Sequence, residues 1–440
     1  MLNNTSNIFI VGIKGVGMAN LALILKKMGK NVSGSDVEEE FITDKWLIKE
    51  KIVITNGFSP FHLPKDTQLL VYSASHGGGE NAQVLEAKKR GIKVFHQAAF
   101  IAELMKQFKK TIAVAGSHGK TTSASLLAYA LIKLGTKPTY LVGSSDFNGY
   151  PAGDFGSYDY FVVEADEYAV NPPKDKTPKF NFLHPAIILC TNIDFDHPDV
   201  FKDMAEIKKA FAEFLKQGKK VIRADELKIE NVIVDAKGTS FTLNNLGRFD
   251  IALYGDKNAL NAAGVIMTLL DLGFEPDQVR EAIKDFTGAK RRFEQQFSLN
   301  ETFLFDDYAH HPAEIEATIK AAKERFKNKR IIVLFQSHTY SRTAALLDEF
   351  VAKLSLADLS LIGPIFPSAR ENPKQFNITS LDFEKKAKEQ NISNVKGFLS
   401  MDDLLGELSK NLRKGDIVFT MGAGDVYKLK TAIISLIKKL

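Results

Sequence analysis

Short apolar runs alternate along this chain with longer segments whose apolar residues recur at helical spacing. Short buried strands that alternate with helices are typical of a parallel sheet with helices on its faces. The pattern therefore predicts an α/β protein. The predicted strands are Ile8–Ile13, Asn31–Gly34, Leu69–Tyr72, Lys93–Phe95, Ile112–Ala115, Tyr160–Val163, Ile187–Cys190, Phe303–Phe305, Ile331–Phe335, Leu359–Ile362 and Asp416–Thr420. The predicted helices are Met18–Met28, Ala82–Arg90, Ala98–Lys110, Ser123–Leu134, Asp256–Leu272 and one that begins at Ala313.

The chain has 440 residues, which is more than one hydrophobic core usually serves. Length alone favours two or three domains, and the order of the motifs favours three. We place the boundaries at 1–104, 105–296 and 297–440.

Composition narrows the class of protein further. The net charge of +5 is small for this length and the basic residues are spread out, so nucleic-acid binding is not indicated. The single cysteine, Cys190, lies in an apolar strand, which suits a reducing compartment and core packing. Since the N-terminus lacks signal-peptide features and no apolar stretch reaches about 18 residues, we expect a cytoplasmic protein without a membrane span.

A glycine-rich turn follows the predicted strand Ile112–Ala115 and precedes an Ala- and Leu-rich helix. Backbone N–H groups in such a turn, together with the helix start, attract phosphate oxygens. Lys120 can neutralise the β- and γ-phosphates, and the Thr121 hydroxyl can ligate Mg²⁺. The turn therefore predicts a nucleoside-triphosphate site. Its residues are Gly116, Ser117, His118, Gly119, Lys120, Thr121 and Thr122.

This turn differs from the usual phosphate-binding loop, because Val114 stands where the first glycine is expected. A glycine-capped turn with a solvated lysine would also fit a bare Gly-Lys-Thr triplet. The strand before it and the helix after it favour phosphate binding.

A second glycine loop opens the chain between a predicted strand and helix. Its glycines are Gly12, Gly15 and Gly17, and Asp36 ends the next strand. This is a Rossmann-like βαβ opening, although the glycine spacing differs from the dinucleotide fingerprint. The loop could bind a diphosphate and Asp36 a ribose or base, or the glycines could serve only close helix packing. Ser73, at the end of the strand Leu69–Tyr72, belongs to the same predicted site.

Carboxylates follow the predicted strand Tyr160–Val163, beginning at Glu164, and His197 follows the strand Ile187–Cys190. The carboxyl ends of parallel strands share the sheet edge where ligands bind. Oxygen ligands suit magnesium, and an imidazole can complete a second, softer position. We therefore predict metal binding there, against the alternatives of a strand-end cap for Glu164 and a structural loop histidine for His197.

Polar residues also mark the second half of the chain. Asn258 and Asn261 share one helix face and could present amides to a purine or ribose, although Asn near a helix start is also an ordinary cap. Arg292 lies in a basic run that could contact a transferring phosphate or form a solvated turn between domains. His338 and Arg342 follow the strand Ile331–Phe335, and an arginine there can bind a carboxylate through two hydrogen bonds.

Together these motifs resemble those of the Mur ligases, the ATP-dependent amino-acid ligases of peptidoglycan synthesis, over essentially the whole chain. The resemblance rests on Gly116–Thr122, Glu164–Glu167, Asn258–Ala263, Arg291–Phe293, Asp306–Pro312, His338–Arg342 and Thr420–Asp425.

The resemblance implies a Rossmann-like N-terminal domain for a UDP-sugar, a central P-loop ATPase domain with a parallel sheet, and a Rossmann-like C-terminal domain for the amino acid. It implies that ATP activates a carboxylate as an acyl phosphate, which an amine then attacks, while the third domain swings over the second. The implied catalytic residues are Lys120, Glu164, His197 and Arg292. The implied Mg²⁺ ligands are Thr121, Glu164 and His197. The implied ATP contacts are the Gly116–Thr122 turn, Asn258, Asn261, Arg292 and Asp307. The implied substrate contacts are Gly12, Gly15, Gly17, Asp36, Ser73, His311, His338 and Arg342.

Within the family we expect the activity that joins L-alanine to UDP-N-acetylmuramate. Lys14, Lys257 and Thr339 depart from the family pattern, and the long stretch from Glu164 to His197 is more like that of ligases that attach a recycled tripeptide to the same UDP-sugar. Tripeptide ligation is therefore the alternative. An NAD-dependent oxidoreductase would leave the Gly116–Thr122 turn without a purpose, and a regulator without catalysis would leave the third-domain motifs unexplained.

Overall fold

The computed structural model describes residues 4–171, 174–367 and 373–440. Three mainly parallel sheets follow one another along the chain, and helices flank each of them. We refer to the corresponding stretches as the first, central and third parts of the chain. Across the described ranges, no helix combines the length and the apolar character that crossing a membrane requires.

The first part holds a five-stranded sheet whose strands are all parallel. Its elements are β1 (Asn7–Val11), α1 (Val16–Lys27), β2 (Asn31–Asp36), α2 (Asp44–Lys49), β3 (Val53–Asn56), β4 (Leu69–Tyr72), α3 (Ala82–Lys89), β5 (Lys93–His96) and α4 (Gln97–Met105). The strand order is β3-β2-β1-β4-β5. Because the order reverses direction at β1, the loop that leaves β1 lies at a crevice where doubly wound sheets bind ligands.

The central part is built on a six-stranded sheet in which only the last pair of strands is antiparallel. Its elements are β6 (Lys110–Ala115), α5 (Lys120–Lys133), β7 (Thr139–Phe147), β8 (Tyr150–Asp154), β9 (Tyr160–Glu164), β10 (Ala169–Asn171), β11 (Asp175–Pro178), β12 (Ile187–Cys190), α6 (Met204–Leu215), β13 (Lys220–Arg223), β14 (Ile229–Val234), β15 (Thr239–Leu243), β16 (Arg248–Ile251), α7 (Asp256–Asp271) and α8 (Pro276–Ile283). The order is β13-β12-β6-β9-β7-β8. Since β6, β9 and β12 are neighbours, their carboxyl ends bring the phosphate-loop turn and the acidic segments to one edge.

The third part has a six-stranded sheet with one antiparallel edge strand. Its elements are β17 (Glu294–Leu299), β18 (Thr302–Asp307), α9 (Pro312–Arg325), β19 (Ile331–Phe335), α10 (Tyr340–Ala345), α11 (Leu347–Leu354), β20 (Leu359–Ile362), α12 (Leu381–Glu389), β21 (Val395–Gly397), α13 (Met401–Asn411), β22 (Ile417–Met421) and α14 (Lys430–Ile437). The order is β17-β18-β22-β19-β20-β21. The strands β18, β22 and β19 are almost entirely buried, which explains the apolar run that each of them contains.

A buried side chain ties the first part to the central part. The Asn20 amide, on α1, donates to the carbonyl oxygens of Val142 and Ser144 on β7, at 2.8 Å each. The helix α1 also lies so close to β8 that a Cβ at Gly153 would come within 2.3 Å of the Asn20 carbonyl oxygen. This contact places the Gly12–Gly17 loop beside the central sheet.

The structure corrects one predicted helix and adds strands that the apolar pattern missed. The helix predicted over Ala98–Lys110 ends at Met105, and Lys110 instead begins β6, where it pairs with Tyr160. The hairpin β7–β8 and the small antiparallel sheet β14-β15-β16 were not predicted. The domain boundaries stay predictions; the one between 296 and 297 falls inside β17, whose pairing with β18 favours a division a few residues earlier.

Candidate active site

A cavity of about 450 Å³ lies where the three sheets meet. Its lining includes Gly17 from the first part, Lys120 and Glu164 from the central part, and His338 and Arg342 from the third. The fold therefore gathers residues that are far apart in sequence around one space. We call this space the reaction cavity.

The turn between β6 and α5 has the backbone of a phosphate-binding loop. Gly116 and Gly119 have φ values of 138° and 81°, which a side chain would strain. The Lys120 ammonium donates to the Gly116 carbonyl at 2.5 Å and to the Ser117 carbonyl at 3.2 Å, and lies 2.8 Å from a Glu167 oxygen. Burial alone would lower the pKa of Lys120, but Glu167 and other nearby carboxylates raise it to about 12. Lys120 is therefore a fixed positive charge beside the loop.

Glu164 and Thr121 form a small oxygen-rich group next to Lys120. The Thr121 hydroxyl donates to Glu164 Oε1 at 3.0 Å, and the Gly143 N–H donates to Oε2 at 2.8 Å. Burial raises the pKa of Glu164 above its usual value, although the Lys120 charge and the Gly143 N–H act in the opposite direction. A hydroxyl and a carboxylate so arranged beside a phosphate loop are the donors that Mg²⁺ takes in triphosphate enzymes.

His197 belongs to a second group, with Glu167 and Asp196. One ligand atom from each of the three lies within 4.8 Å of the others. His197 has a φ of 59°, and the Tyr168 ring packs against its imidazole with ring centroids 4.8 Å apart. The structure thus brings His197 to the predicted edge but groups it with Glu167 and Asp196, while Thr121 pairs with Glu164.

A second cavity, of about 540 Å³, lies between the central and third parts on the other side of the phosphate loop. It is lined by His118, Thr122, Asn258, Asn261 and Asp307, among other residues. The Asn261 amide packs against Gly119 so closely that a Cβ there would lie 2.5 Å from Asn261 Oδ1. The predicted ATP-binding residues are therefore brought together. We call this space the nucleotide cavity.

Arg292 lines both cavities and so stands at their junction. Its guanidinium lies 3.4 Å from the Thr121 hydroxyl and 3.7 Å from a Glu314 oxygen, above the Tyr308 ring. This is where a phosphate passing between the two cavities would be contacted. Asp307 lies nearby, and burial raises its pKa to about 6.

Two histidines, His118 of the phosphate loop and His311 of the third part, pack against each other. His118 lies 3.3 Å from an Asp194 oxygen and 3.5 Å from a Glu314 oxygen; burial would lower its pKa, but these carboxylates raise it to about 9. His311 packs on the His118 ring, caps α9 through Nδ1 and donates from Nε2 to the Phe195 carbonyl at 3.0 Å. The structure thus places His311 against the phosphate loop rather than with His338 and Arg342.

Arg342 is already paired within the protein. Its Nε and Nη2 donate to Asp196 Oδ1 at 2.9 and 2.8 Å, and both side chains are only 4% exposed. Burial acts to raise the pKa of Asp196, but the Arg342 charge and the neighbouring histidines together hold that pKa well below its usual range. Arg342 faces the reaction cavity as half of an ion pair, which the sequence did not indicate.

Three family models cover most of the chain in the order that the sheets follow. The model described as "Mur ligase family, catalytic domain" matches residues 7–109, "Mur ligase middle domain" matches 114–237, and "Mur ligase, glutamate ligase domain" matches 291–424. A UDP-N-acetylmuramate–L-alanine ligase of Pediococcus pentosaceus is 35% identical over 99% of this chain and 100% of its own length. The chain belongs to the Mur ligase family. The predicted resemblance and enzyme class are confirmed, since Mur ligases are ATP-dependent ligases.

Other relatives of this Mur ligase support the same family assignment. A UDP-N-acetylmuramate–L-alanine ligase of Lactiplantibacillus plantarum is 35% identical over 96% of both chains. The structure of the UDP-N-acetylmuramate-alanine ligase of Thermotoga maritima matches with a TM-score of 0.80 and 24% identity, over 98% of this chain and 99% of that one. A murein peptide ligase of Psychrobacter arcticus matches with a TM-score of 0.71 and 23% identity, over 99% of both. These structural matches confirm the predicted three-domain α/β fold class.

The Gly12–Gly17 loop of the Mur ligase packs against residues at the ends of neighbouring strands. Gly12 has a φ of 77°, and a Cβ there would lie 2.6 Å from the Ser73 hydroxyl. Asp36 accepts from the Lys14 N–H at 2.7 Å and lies 3.4 Å from the His76 ring. The Asp36 oxygens already have these partners, so a ligand would have to compete for them. The binding of a ribose or base by Asp36 stays a prediction.

Some residues around the reaction cavity were not singled out from the sequence of this Mur ligase. Glu167 and Asp196 lie beside Glu164 and His197 in the same acidic segments, but the sequence prediction assigned metal binding only to Glu164 and His197. Glu314 was missed because it lies within the first turn of α9. The signal that could have found Glu167 and Asp196 is the density of carboxylates after β9 and β12.

Proposed function

We propose that this Mur ligase joins L-alanine to UDP-N-acetylmuramate, with hydrolysis of ATP to ADP and phosphate, in the synthesis of a peptidoglycan precursor. The observation that carries this proposal is the reaction cavity, where Lys120 and Glu164 face Arg342 and His338 across one space. The names of the full-length relatives at 35% identity support the choice of substrates. The substrates suggest a cytoplasmic enzyme.

The reaction needs two steps at one place. The carboxylate of the UDP-sugar attacks the γ-phosphorus of ATP, which releases ADP and leaves an acyl phosphate. The amine of alanine then attacks the acyl carbon, and phosphate leaves as the amide forms. Lys120 and Arg292 are placed to stabilise negative charge on the transferred phosphate, since both lie at the phosphate loop between the two cavities.

We infer that Mg²⁺ serves this transfer. The hydroxyl and carboxylate of Thr121 and Glu164 fit one ion, and the group of Glu167, Asp196 and His197 fits a second position with one nitrogen donor. When bound, such ions neutralise phosphate oxygens and orient the γ-phosphate. The protein residues hold the donors in place: Gly143 fixes Glu164, and Arg342 fixes Asp196.

A tripeptide nucleophile is the second candidate, and one observation favours it. Lys179 and Lys290 both line the reaction cavity, although Lys179 pairs with Asp166 at 2.7 Å and Lys290 with Glu294. Extra cations near the cavity could meet the additional carboxylates of a tripeptide. Alanine needs only one cation for its single carboxylate.

Phosphate release, measured with UDP-N-acetylmuramate, ATP and Mg²⁺, distinguishes these candidates. L-alanine, glycine, L-serine and the recycled tripeptide are supplied one at a time, and the product is identified by mass spectrometry. We expect the highest kcat/KM with L-alanine and a product heavier by one alanine residue. Preference for the tripeptide would replace the proposed activity by the second candidate, and no release with any amine would refute both.

A further inference from the structure

One buried ion pair joins the central part of this Mur ligase to the third part at the reaction cavity. Asp196 lies in the segment after β12, and Arg342 lies on α10. The same Asp196 oxygen that accepts from Arg342 also accepts from the His197 backbone N–H at 2.6 Å. A single carboxylate thus fixes both a cavity residue of its own loop and one from the opposite part.

We propose that Asp196 is a positioning residue, which holds the Arg342 guanidinium across the interface in the orientation that receives the amino-acid substrate. The identity of that substrate rests on the proposed function. The positioning itself rests only on the contacts of Asp196.

The hydrogen bonds of Arg342 show which edge of its guanidinium is left for a substrate. Nε and Nη2 are directed to Asp196, whereas among the described residues Nη1 contacts only the His338 carbonyl, at a long 3.5 Å. A substrate carboxylate would therefore meet the guanidinium from the Nη1 side. Because arginine has a long, rotatable stem, losing Asp196 would release this orientation even though the guanidinium remained.

The Asp196–Arg342 pair also affects how the central and third parts come together. The Asp196 side chain comes from the central part and the Arg342 side chain from the third part, so the pair exists only when the two are together. Removing one partner of a buried pair leaves the other charge without compensation. We therefore expect the ligand-free protein to open when Asp196 loses its charge.

A second ion pair, whose carboxylate is equally buried while its arginine is 26% exposed, provides a control. Arg330 Nε and Nη2 donate to the two Asp416 oxygens at 3.1 and 3.0 Å, and the Asp416 side chain is also 4% exposed. These residues precede β19 and β22, so they lie at the amino ends of the strands, opposite the edge that carries the reaction cavity. Loss of this pair should affect stability without touching the site.

The test compares Asp196→Asn with Asp416→Asn in the full chain. We expect Asp196→Asn to raise the KM for the amine substrate by at least about tenfold and the KM for ATP by clearly less. Both values are measured at saturating Mg²⁺, because Asp196 also belongs to the group that fits the second metal position. Small-angle X-ray scattering without ligands should show a larger radius of gyration. Asp416→Asn should lower the melting temperature while both KM values and the scattering stay at the wild-type level. Asp196→Asn combined with Arg342→Lys should lose less than the product of the two single effects, because the two residues act as a unit.

Asp196→Glu is a second variant, for the case that Asp196→Asn does not fold. It keeps the charge and shifts the carboxylate by one methylene. It should raise the KM for the amine to an intermediate value. If both Asp196 variants change only the melting temperature, as Asp416→Asn does, Asp196 is merely structural and the proposal is refuted. If the wild type prefers another amine, the proposed function fails, but the same measurements with that amine and the scattering still test Asp196.

Discussion

Replacing Lys120 by alanine should abolish most of the phosphoryl transfer. Its ammonium lies in the phosphate loop, with a side chain only 13% exposed and a carboxylate 2.8 Å away. A full charge at about 4 Å from a phosphate oxygen is worth about 4 kcal/mol at an effective dielectric constant of about 20. Allowing for the remaining contacts, we expect the barrier to rise by about 3 kcal/mol, which lowers kcat about 150-fold.

The same change should destabilise the protein for a separate reason. Without Lys120, the nearly inaccessible Glu167 carboxylate loses its partner, and breaking a buried pair in this way costs roughly 3–5 kcal/mol. The double variant Lys120→Ala with Glu167→Gln should therefore recover much of the lost melting temperature but none of the activity.

Steady-state phosphate release and thermal unfolding of the same preparations separate the two effects. Lys133→Ala, at the exposed end of the same helix, is the control and should match the wild type in both assays. Phosphate release by Lys120→Ala within about threefold of the wild type would refute the role in transfer, because a neutral methyl group cannot supply the expected stabilisation.

Four further predictions concern other residues of the site. Glu164→Gln keeps the shape but removes the charge, so it should raise the Mg²⁺ concentration for half-maximal activity several-fold; an unchanged Mg²⁺ titration would refute the assignment. Asn261→Ala should raise the KM for ATP and leave that for L-alanine alone, as initial rates would show. Arg342→Lys should raise the KM for L-alanine with little change for ATP, because a point charge cannot replace the planar fork. For His118, the folded-state pKa of about 9 lies above the ordinary histidine value of 6.5, so its stabilising contribution is complete below pH 6.5 and is lost as the pH rises through 9. The melting temperature of the wild type should therefore fall more over this window than that of His118→Gln, and parallel pH curves would contradict the charged contacts of His118.

The fold was largely readable from the sequence because most parallel strands are buried on both faces and appear as short apolar runs. The strand Ile331–Phe335 has the predicted bounds, and every residue in it is buried. Strands that are exposed or irregular were not predicted from the sequence. An example is β14, whose residues are exposed or only partly buried and whose pairing with β15 shifts register. Such strands carry no apolar run, and only their tertiary pairing defines them.

The candidate site was predictable to a similar degree. Strand order places residues at one edge, so the approach of Glu164 and His197 to one cavity follows from their positions at the end of β9 and after β12. Which side chains pair across separate parts of the chain does not follow from spacing. The Asp196–Arg342 pair depends on how the third sheet packs on the central one, and no local pattern records that packing.

The burial of Cys190 makes this enzyme well suited to measurements with fluorescent labels. The thiol is buried at the end of β12, and burial raises its pKa to about 12. Thiolate is the reactive species, so maleimides should leave this position unmodified at neutral pH. Cysteines introduced at the exposed positions Glu213 on α6 and Lys385 on α12 would then carry the only dyes, without first removing the native thiol. Opening and closing of the enzyme could thus be followed one molecule at a time during turnover.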